Sequence, residues 1–131
     1  MLLDTQVLVW HGINPECLSR KAIAAIEKRG CFYSHVSLWE LAIKSGLNKL
    51  NLALREERVS ARQFVLHLAE RLELTPLALE FDDLAAVESL PRHPQRNDPF
   101  DRLLAIQAQR RDLSILSADT DLDFYGLPRV W

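Results

Sequence analysis

Five carboxylates in this chain sit where they could act together. Asp4 follows the apolar pair Leu2-Leu3, Glu40 closes the run Ser37-Leu38-Trp39-Glu40, Asp98 and Asp101 belong to the stretch Asn97-Asp98-Pro99-Phe100-Asp101-Arg102, and Asp119 follows Ile115-Leu116-Ser117-Ala118. Taken singly, each has a bland explanation. Asp4 can cap the helix behind it, and Ser37-x-x-Glu40 fits a capping box, in which the glutamate reaches back to the cap residue's N–H. Asp98-Pro99 fits an N-cap followed by proline at the first helical position, with Asp101 in the first turn, where the helix dipole favours an anion. Capping does not explain why the acids should share one end of one sheet. Carboxylates gathered in a cleft repel one another and raise one another's pKa values, a conflict that a divalent cation resolves. All-oxygen donor sets suit Mg²⁺ or Mn²⁺, and such ions, held by a few carboxylates and waters, serve phosphoryl-transfer or phosphodiester chemistry.

Whether the acids meet depends on the elements that carry them. Leu2-Leu3 reads as a short strand that halts at Asp4 and hands over to a short helix through Val7-Leu8-Val9-Trp10. Ser19 caps a helix whose apolar stripe is Ala22, Ile23 and Ile26 and whose left-handed stop is Gly30. Cys31-Phe32-Tyr33-Ser34 is a second strand, followed by helical spacing from Val36 to Ile43 that puts Glu40 in the first turn. Residues 48–59 read as an exposed connection or short helix, and Ser60 opens a helix with Phe64, Leu68 and Leu72 on one face. Leu74 to Leu77 is a third strand, Asp83 to Leu90 a helix, and a further helix after Pro99 carries Leu103, Leu104, Ile106 and Ala108. Ser114-Ile115-Leu116-Ser117 is a strand buried on both faces, and Arg129-Val130-Trp131 is the last. Strands alternating with helices over the whole length imply an α/β fold of three layers, α/β/α, around a central parallel sheet of four to five strands. In such sheets ligands sit beyond the carboxyl ends of the strands, which is where Asp4 and Asp119 fall.

The bulk composition narrows the setting. A chain of 131 residues that is 48% hydrophobic can bury about two-thirds of its unfolded surface, so a single domain over 1–131 is expected. A net charge of −2 excludes a globally basic nucleic-acid binder, so any such contact must be local. Cys17 and Cys31 have no metal-type spacing and are too few for a disulfide scaffold, so both read as core residues in a reducing compartment. The N-terminus has an acid at its fourth position and no basic region, so no signal peptide is expected, and no apolar run reaches the roughly 18 residues of a membrane span. The expected location is the cytoplasm.

The motifs Leu2-Leu3-Asp4-Thr5, Ser37-Leu38-Trp39-Glu40, Asp98-Pro99-Phe100-Asp101-Arg102-Leu103-Leu104 and Ser117-Ala118-Asp119, with Tyr125-Gly126 and the closing Val130-Trp131, resemble the PIN-domain ribonucleases of the VapC toxin group. The similarity covers essentially the full chain. Position by position, it implies that Asp4, Glu40, Asp101 and Asp119 hold Mg²⁺ or Mn²⁺ and are the catalytic acids. The NDPFDR pair is thereby divided: Asp98 caps the helix, with a possible role behind the metal ligands, while Asp101 faces the metal. Asp121 is an additional candidate of that second kind, and Asp123 is expected in solvent. The resemblance further implies an endoribonuclease that hydrolyses cellular RNA as the toxin of a toxin–antitoxin pair, silenced by a cognate antitoxin protein, and a homodimer.

Other residues read two ways. Arg92, His93, Arg96 and Arg102 lie beside the acidic motif and could meet RNA phosphates, with Arg102 the better candidate, or they could form a solvated charged loop. The hydroxyls of Thr5 and Ser117 could bond a metal water or cap helices and turns. Trp10, Trp39 and Trp131 fit core or interface positions better than RNA stacking, and His11, His35 and His67 show no ligand spacing. Two rivals remain in the same fold class. A phosphatase of the haloacid dehalogenase type would want a second acid two residues after Asp4, where Gln6 stands. A response-regulator receiver would want a lysine near the end, and the last lysine is Lys49. A catalytically silent binding module of the PIN fold would use its acids only for caps and partner contacts.

Overall fold

Leu2 and Leu3 are both wholly buried, and because successive strand side chains point to opposite faces they enter different cores. That division sets the layering of the computed structural model, which describes residues 1–131. The elements in order are β1 (Leu2–Leu3), α1 (Thr5–Ile13), α2 (Arg20–Glu27), β2 (Phe32–Ser34), α3 (His35–Gly46), β3 (Ala53–Leu54), β4 (Glu57–Arg58), α4 (Ala61–Leu72), β5 (Thr75–Leu77), α5 (Phe81–Ala86), α6 (Pro99–Arg110), β6 (Ile115–Leu116) and β7 (Arg129–Val130). A 3-10 turn, Thr120–Tyr125, joins the last two strands.

The strands other than β3 and β4 form one sheet of order β5-β2-β1-β6-β7, with every pairing parallel. Leu3 and Leu116 face a core built with Val7, Leu8, Ile26, Phe64 and Leu68 from α1, α2 and α4. On the opposite face, Leu2 and Ile115 pack with Leu103, Leu104 and Ile106 of α6. Helix α3 serves both, giving Leu41 to the first core and Val36 to the second. This is the three-layer α/β/α arrangement expected from the alternation of elements. No helix is long and apolar enough to cross a membrane.

The register brings the chemistry together. Leu2 is level with Phe32 and Ile115, and Leu3 with Tyr33 and Leu116, so β1, β2 and β6 end flush. The ladder runs one step further, with the Asp4 N–H donating to Leu116 O at 3.1 Å. Asp4, Ser34 and Ser117 therefore leave the sheet side by side, at the edge where three connections to helices or turns begin.

The structure differs from the sequence reading in four places. Residues 53–58 form an antiparallel hairpin, β3 with β4, rather than a helix or plain connection. Helix α5 spans Phe81–Ala86 and stops short of Leu90. Helix α3 begins a turn earlier than the Ser37 box implied: Ser34 is its N-cap, its side chain accepting from the Val36 N–H at 2.9 Å, and Glu40 lies in the second turn. Cys31 is buried, but Cys17 is exposed and belongs to no core.

Candidate active site

Five carboxylates, Asp4, Glu40, Asp98, Asp101 and Asp119, line a single cleft of about 570 Å³ over the carboxyl edge of the sheet. Each arrives by a local device. Asp4 leaves β1 in extended conformation and caps α1, accepting from the Gln6 N–H at 3.4 Å, while the Ser117 hydroxyl donates to its Oδ2 at 2.6 Å. The Asp119 N–H donates in turn to Ser117 Oγ at 3.0 Å, and Asp119 Oδ1 accepts from the Asp121 N–H at 2.9 Å, so one hydroxyl links the acids at the ends of β1 and β6. Asp98 caps α6, its Oδ1 accepting from the Phe100 and Asp101 N–H groups at 2.8 and 3.3 Å. The capping explanation thus holds for Asp4, Asp98 and Asp119 and coexists with their placement in the cleft. For Glu40 it fails, because its carboxylate accepts from Lys44 Nζ, one turn on.

The electrostatics are those of an acid cluster with one ammonium, Lys44, bonded to Glu40. Burial, followed by the charges of Asp98, Asp4, Asp119 and Glu40, raises the Asp101 carboxyl from its ordinary 3.8 to about 7. Burial also raises Asp4, whose bonds from Ser117 and Gln6 pull the other way and whose neighbours Glu40 and Asp119 push further up. Lys44 responds in the opposite sense. Burial works against its ammonium, but the hydrogen bond and charge of Glu40, then Asp98 and Asp101, outweigh it and hold the pKa above the usual lysine value. As the side chains lie, no three His, Cys, Asp or Glu residues enclose a common point at ligand distance. What the acids share is a cleft and a field, and both fit a hard divalent cation: the donors are all oxygens, and the burial and repulsion that lift Asp101 are costs a bound cation would offset.

The remaining expected site residues divide. Thr5 lines the cleft, but its hydroxyl donates to Ser37 Oγ at 3.0 Å, away from the acids. Asp121 lies outside the cleft lining and pairs with Arg96 at 3.2 Å. Asp123, expected in solvent, is exposed and pairs with Arg129. Arg92 and Arg96 are exposed on the loop before Asp98. Arg102 corrects the expectation that it meets RNA. It is 8% exposed, and its guanidinium donates to the carbonyls of Val87, Leu90 and Pro91 at 3.0, 3.0 and 2.8 Å and to Asn97 Oδ1 at 3.5 Å. It is the latch of the 87–97 loop, because those carbonyls point inward and no other cation reaches them. Sequence reasoning missed Lys44 and Lys49, which also line the cleft. The i, i+4 step from Glu40 to Lys44 was the available signal. Trp10 packs against Trp131 with ring centres 5.5 Å apart and planes tilted by 49°, and Trp39 meets Phe100 edge-on at 5.0 Å.

The family model for the PIN domain matches residues 1–127. Among solved structures, a chain of VapBC2 from Rickettsia felis, bound to a DNA fragment from their promoter, superposes with a TM-score of 0.65 at 15% identity, covering 99% of this chain and 98% of that one. A chain of FitAB bound to the IR36 DNA fragment superposes with a TM-score of 0.61 at 16% identity, covering 98% and 92%. No curated protein matches.

Proposed function

The chain belongs to the PIN-domain family, and from that premise we propose that it is a divalent-metal-dependent endoribonuclease, the toxin of a toxin–antitoxin pair. The observation that carries the reading is the single cleft in which Asp4, Glu40, Asp101 and Asp119 converge from four separate segments, with Asp101 lifted to about 7 by burial and by the charges of Asp98 and the other three acids. The toxin role is supported by the fold shared with VapBC2 and FitAB over nearly the whole chain.

In this reading the four acids would hold Mg²⁺ or Mn²⁺, and the bound ion would supply charge neutralisation for a phosphodiester and a lowered pKa for a water. The protein's own residues do the positioning. Ser117 fixes Asp4, the Asp121 N–H fixes Asp119, and Asp101 has no hydrogen-bond donor in the structure, so its carboxylate is left to the cation. Asp98 holds the first turn of α6 and adds negative field to Asp101, while Thr5 holds Ser37 and Asp121 acts on Asp119 through its backbone N–H alone. No side chain is needed as a nucleophile. Arg92 and Arg96 are offered to the RNA backbone, Arg96 from its pair with Asp121.

The same proposal includes a homodimer and an antitoxin. Trp39 and Ile43 on α3 and Leu47 at its C-cap repeat at i, i+4 and i+8 and are 49%, 39% and 60% exposed, an apolar stripe that suits protein contacts. Light scattering that gives a monomer at high micromolar concentration would remove the dimer. The activity is tested with purified protein and total cellular RNA in Mg²⁺ or Mn²⁺, against EDTA and the Asp4→Asn variant. Discrete fragments that vanish in both controls support the ribonuclease. Intact RNA with folded, antitoxin-free protein would favour the silent binding module.

A further inference from the structure

Two lysines line the cleft beside its five carboxylates, and the end of α3 places both. Lys44 stands one turn beyond Glu40, and its Nζ donates to Glu40 Oε1. Helix α3 then closes in a Schellman motif. Asn48 takes a left-handed φ of 53°, its N–H donates to Ser45 O at 3.1 Å, and the Lys49 N–H donates to Lys44 O at 2.9 Å. That turn folds Lys49 back to the cleft wall, where it is exposed.

Glu–Lys pairs at i, i+4 are common on solvent faces of helices and contribute little there. This pair is different in where it points. The Glu40 residue is 7% exposed and forms part of the cleft wall, whereas the Lys44 side chain is 50% exposed, so the ammonium reaches from solvent into the site. Glu40 cannot give the same oxygens at full strength to an ammonium and to a divalent cation, and the two cations repel each other. A polyanionic substrate, for its part, must approach five carboxylates in a protein of net charge −2. Arg102 is withdrawn into the 87–97 loop and Arg96 is engaged by Asp121, so Lys44 and Lys49 are the cations that line the cleft itself.

We propose that Lys44 is the cleft's exchangeable counter-ion: it occupies Glu40 while no metal is bound, yields that carboxylate to a divalent cation, and then holds a non-bridging phosphate oxygen of the RNA, with Lys49 meeting the next phosphate along. The inference rests on the ribonuclease reading above. Lys44 contacts the substrate directly in this scheme, and the exchange couples metal loading to substrate capture.

The test uses the 131-residue protein with Lys44→Gln and Lys44→Arg, each checked by thermal melting for an intact fold. Isothermal titration with Mn²⁺ should show Lys44→Gln binding about three- to fivefold more tightly than the parent, because a competitor has gone, and Lys44→Arg binding like the parent. A labelled mixed-sequence single-stranded RNA, titrated in Ca²⁺, should bind Lys44→Gln about fivefold more weakly, with the slope of log affinity against log salt reduced by about 0.7, and Lys44→Arg should restore both. An unchanged Mn²⁺ affinity in folded Lys44→Gln overturns the exchange, and so does an unchanged RNA affinity and salt slope. Failure of the parent reading looks different: the unsubstituted protein itself would bind no Mn²⁺ that the Asp101→Asn change abolishes.

Discussion

Replacing Asp101 by asparagine should stabilise the metal-free protein and destroy its response to metal, and the sizes follow from the cleft. The carboxyl is raised from 3.8 to about 7 by burial and by Asp98, Asp4, Asp119 and Glu40. A shift of that size corresponds to about 4 kcal/mol if fully expressed, and the half-exposed position of the side chain reduces it to about 1–2 kcal/mol after solvent screening. The sign is fixed by linkage. The folded state binds this proton more tightly than the unfolded chain, so ionising Asp101 destabilises the fold. The penalty is absent below about pH 4, grows between about pH 4 and 7, and is complete above 7. Asparagine fits the same space without the charge. In EDTA at pH 8, Asp101→Asn should therefore melt about 3–8 °C above the parent, with the gap closing toward pH 4. Adding Mn²⁺ should reverse the order, because a ligand at a hundred times its dissociation constant adds about 2.7 kcal/mol to the parent alone. Differential scanning fluorimetry over that pH range, with and without Mn²⁺, reads both effects. A variant less stable than the parent at pH 8 in EDTA, or a gap independent of pH, would refute the claim that Asp101 stands in an acid field.

Substitutions at three further positions probe the frame that carries the cleft. Arg102→Ala should cost about 3 kcal/mol or more in chemical denaturation, since it leaves the carbonyls of Val87, Leu90 and Pro91 without their buried donor, and Arg102→Lys should recover only part of it because one ammonium cannot span them. Gly12→Ala should destabilise by about 1–3 kcal/mol, because a Cβ there would lie 2.3 Å from the Phe64 ring in the α1–α4 packing; a neutral outcome in the melt would mean that the ring has room to move. Asp83 is wholly buried, and although burial favours its neutral form, the bonds from Arg111, the Glu80 N–H and Gln107 outweigh burial and hold its carboxyl below the usual range. Its stabilisation is complete above about pH 4 and is lost as pH falls through the lower folded value, so acid unfolding should come at higher pH in Asp83→Asn than in the parent. Coincident acid transitions in the two proteins would contradict this.

The parts of the fold that depend on local pattern were legible in the sequence. Leu2-Leu3 ending at Asp4, Ile115-Leu116 ending short of Asp119, and the Ser19, Ser60 and Asp98 caps all appear where the residue types place them. The hairpin β3–β4 was not, because its turn is made by Arg55 and Glu56 at φ of 50° and 71° without the Asn or Gly that normally marks such a turn. Helix α3 was entered a turn late because Ser34 and Ser37 are equally good caps by type. Only the end of β2 decides between them, and Ser37 is spent inside on the Thr5 hydroxyl. Arg102 was misjudged for a related reason: its acceptors are backbone carbonyls 11 to 15 residues upstream, which no residue type reveals. Lys44 was overlooked because helical spacing pairs it with Glu40 whether or not that glutamate faces a cleft.

The most direct measurement is anomalous diffraction at the manganese edge from crystals soaked in Mn²⁺, with Asp101→Asn crystals treated alike. A peak in the cleft bounded by Asp4, Glu40, Asp101 and Asp119, lost in the variant, is expected if these four acids form a metal centre. Ordered acids with no peak, or a peak held elsewhere on the surface, would contradict it.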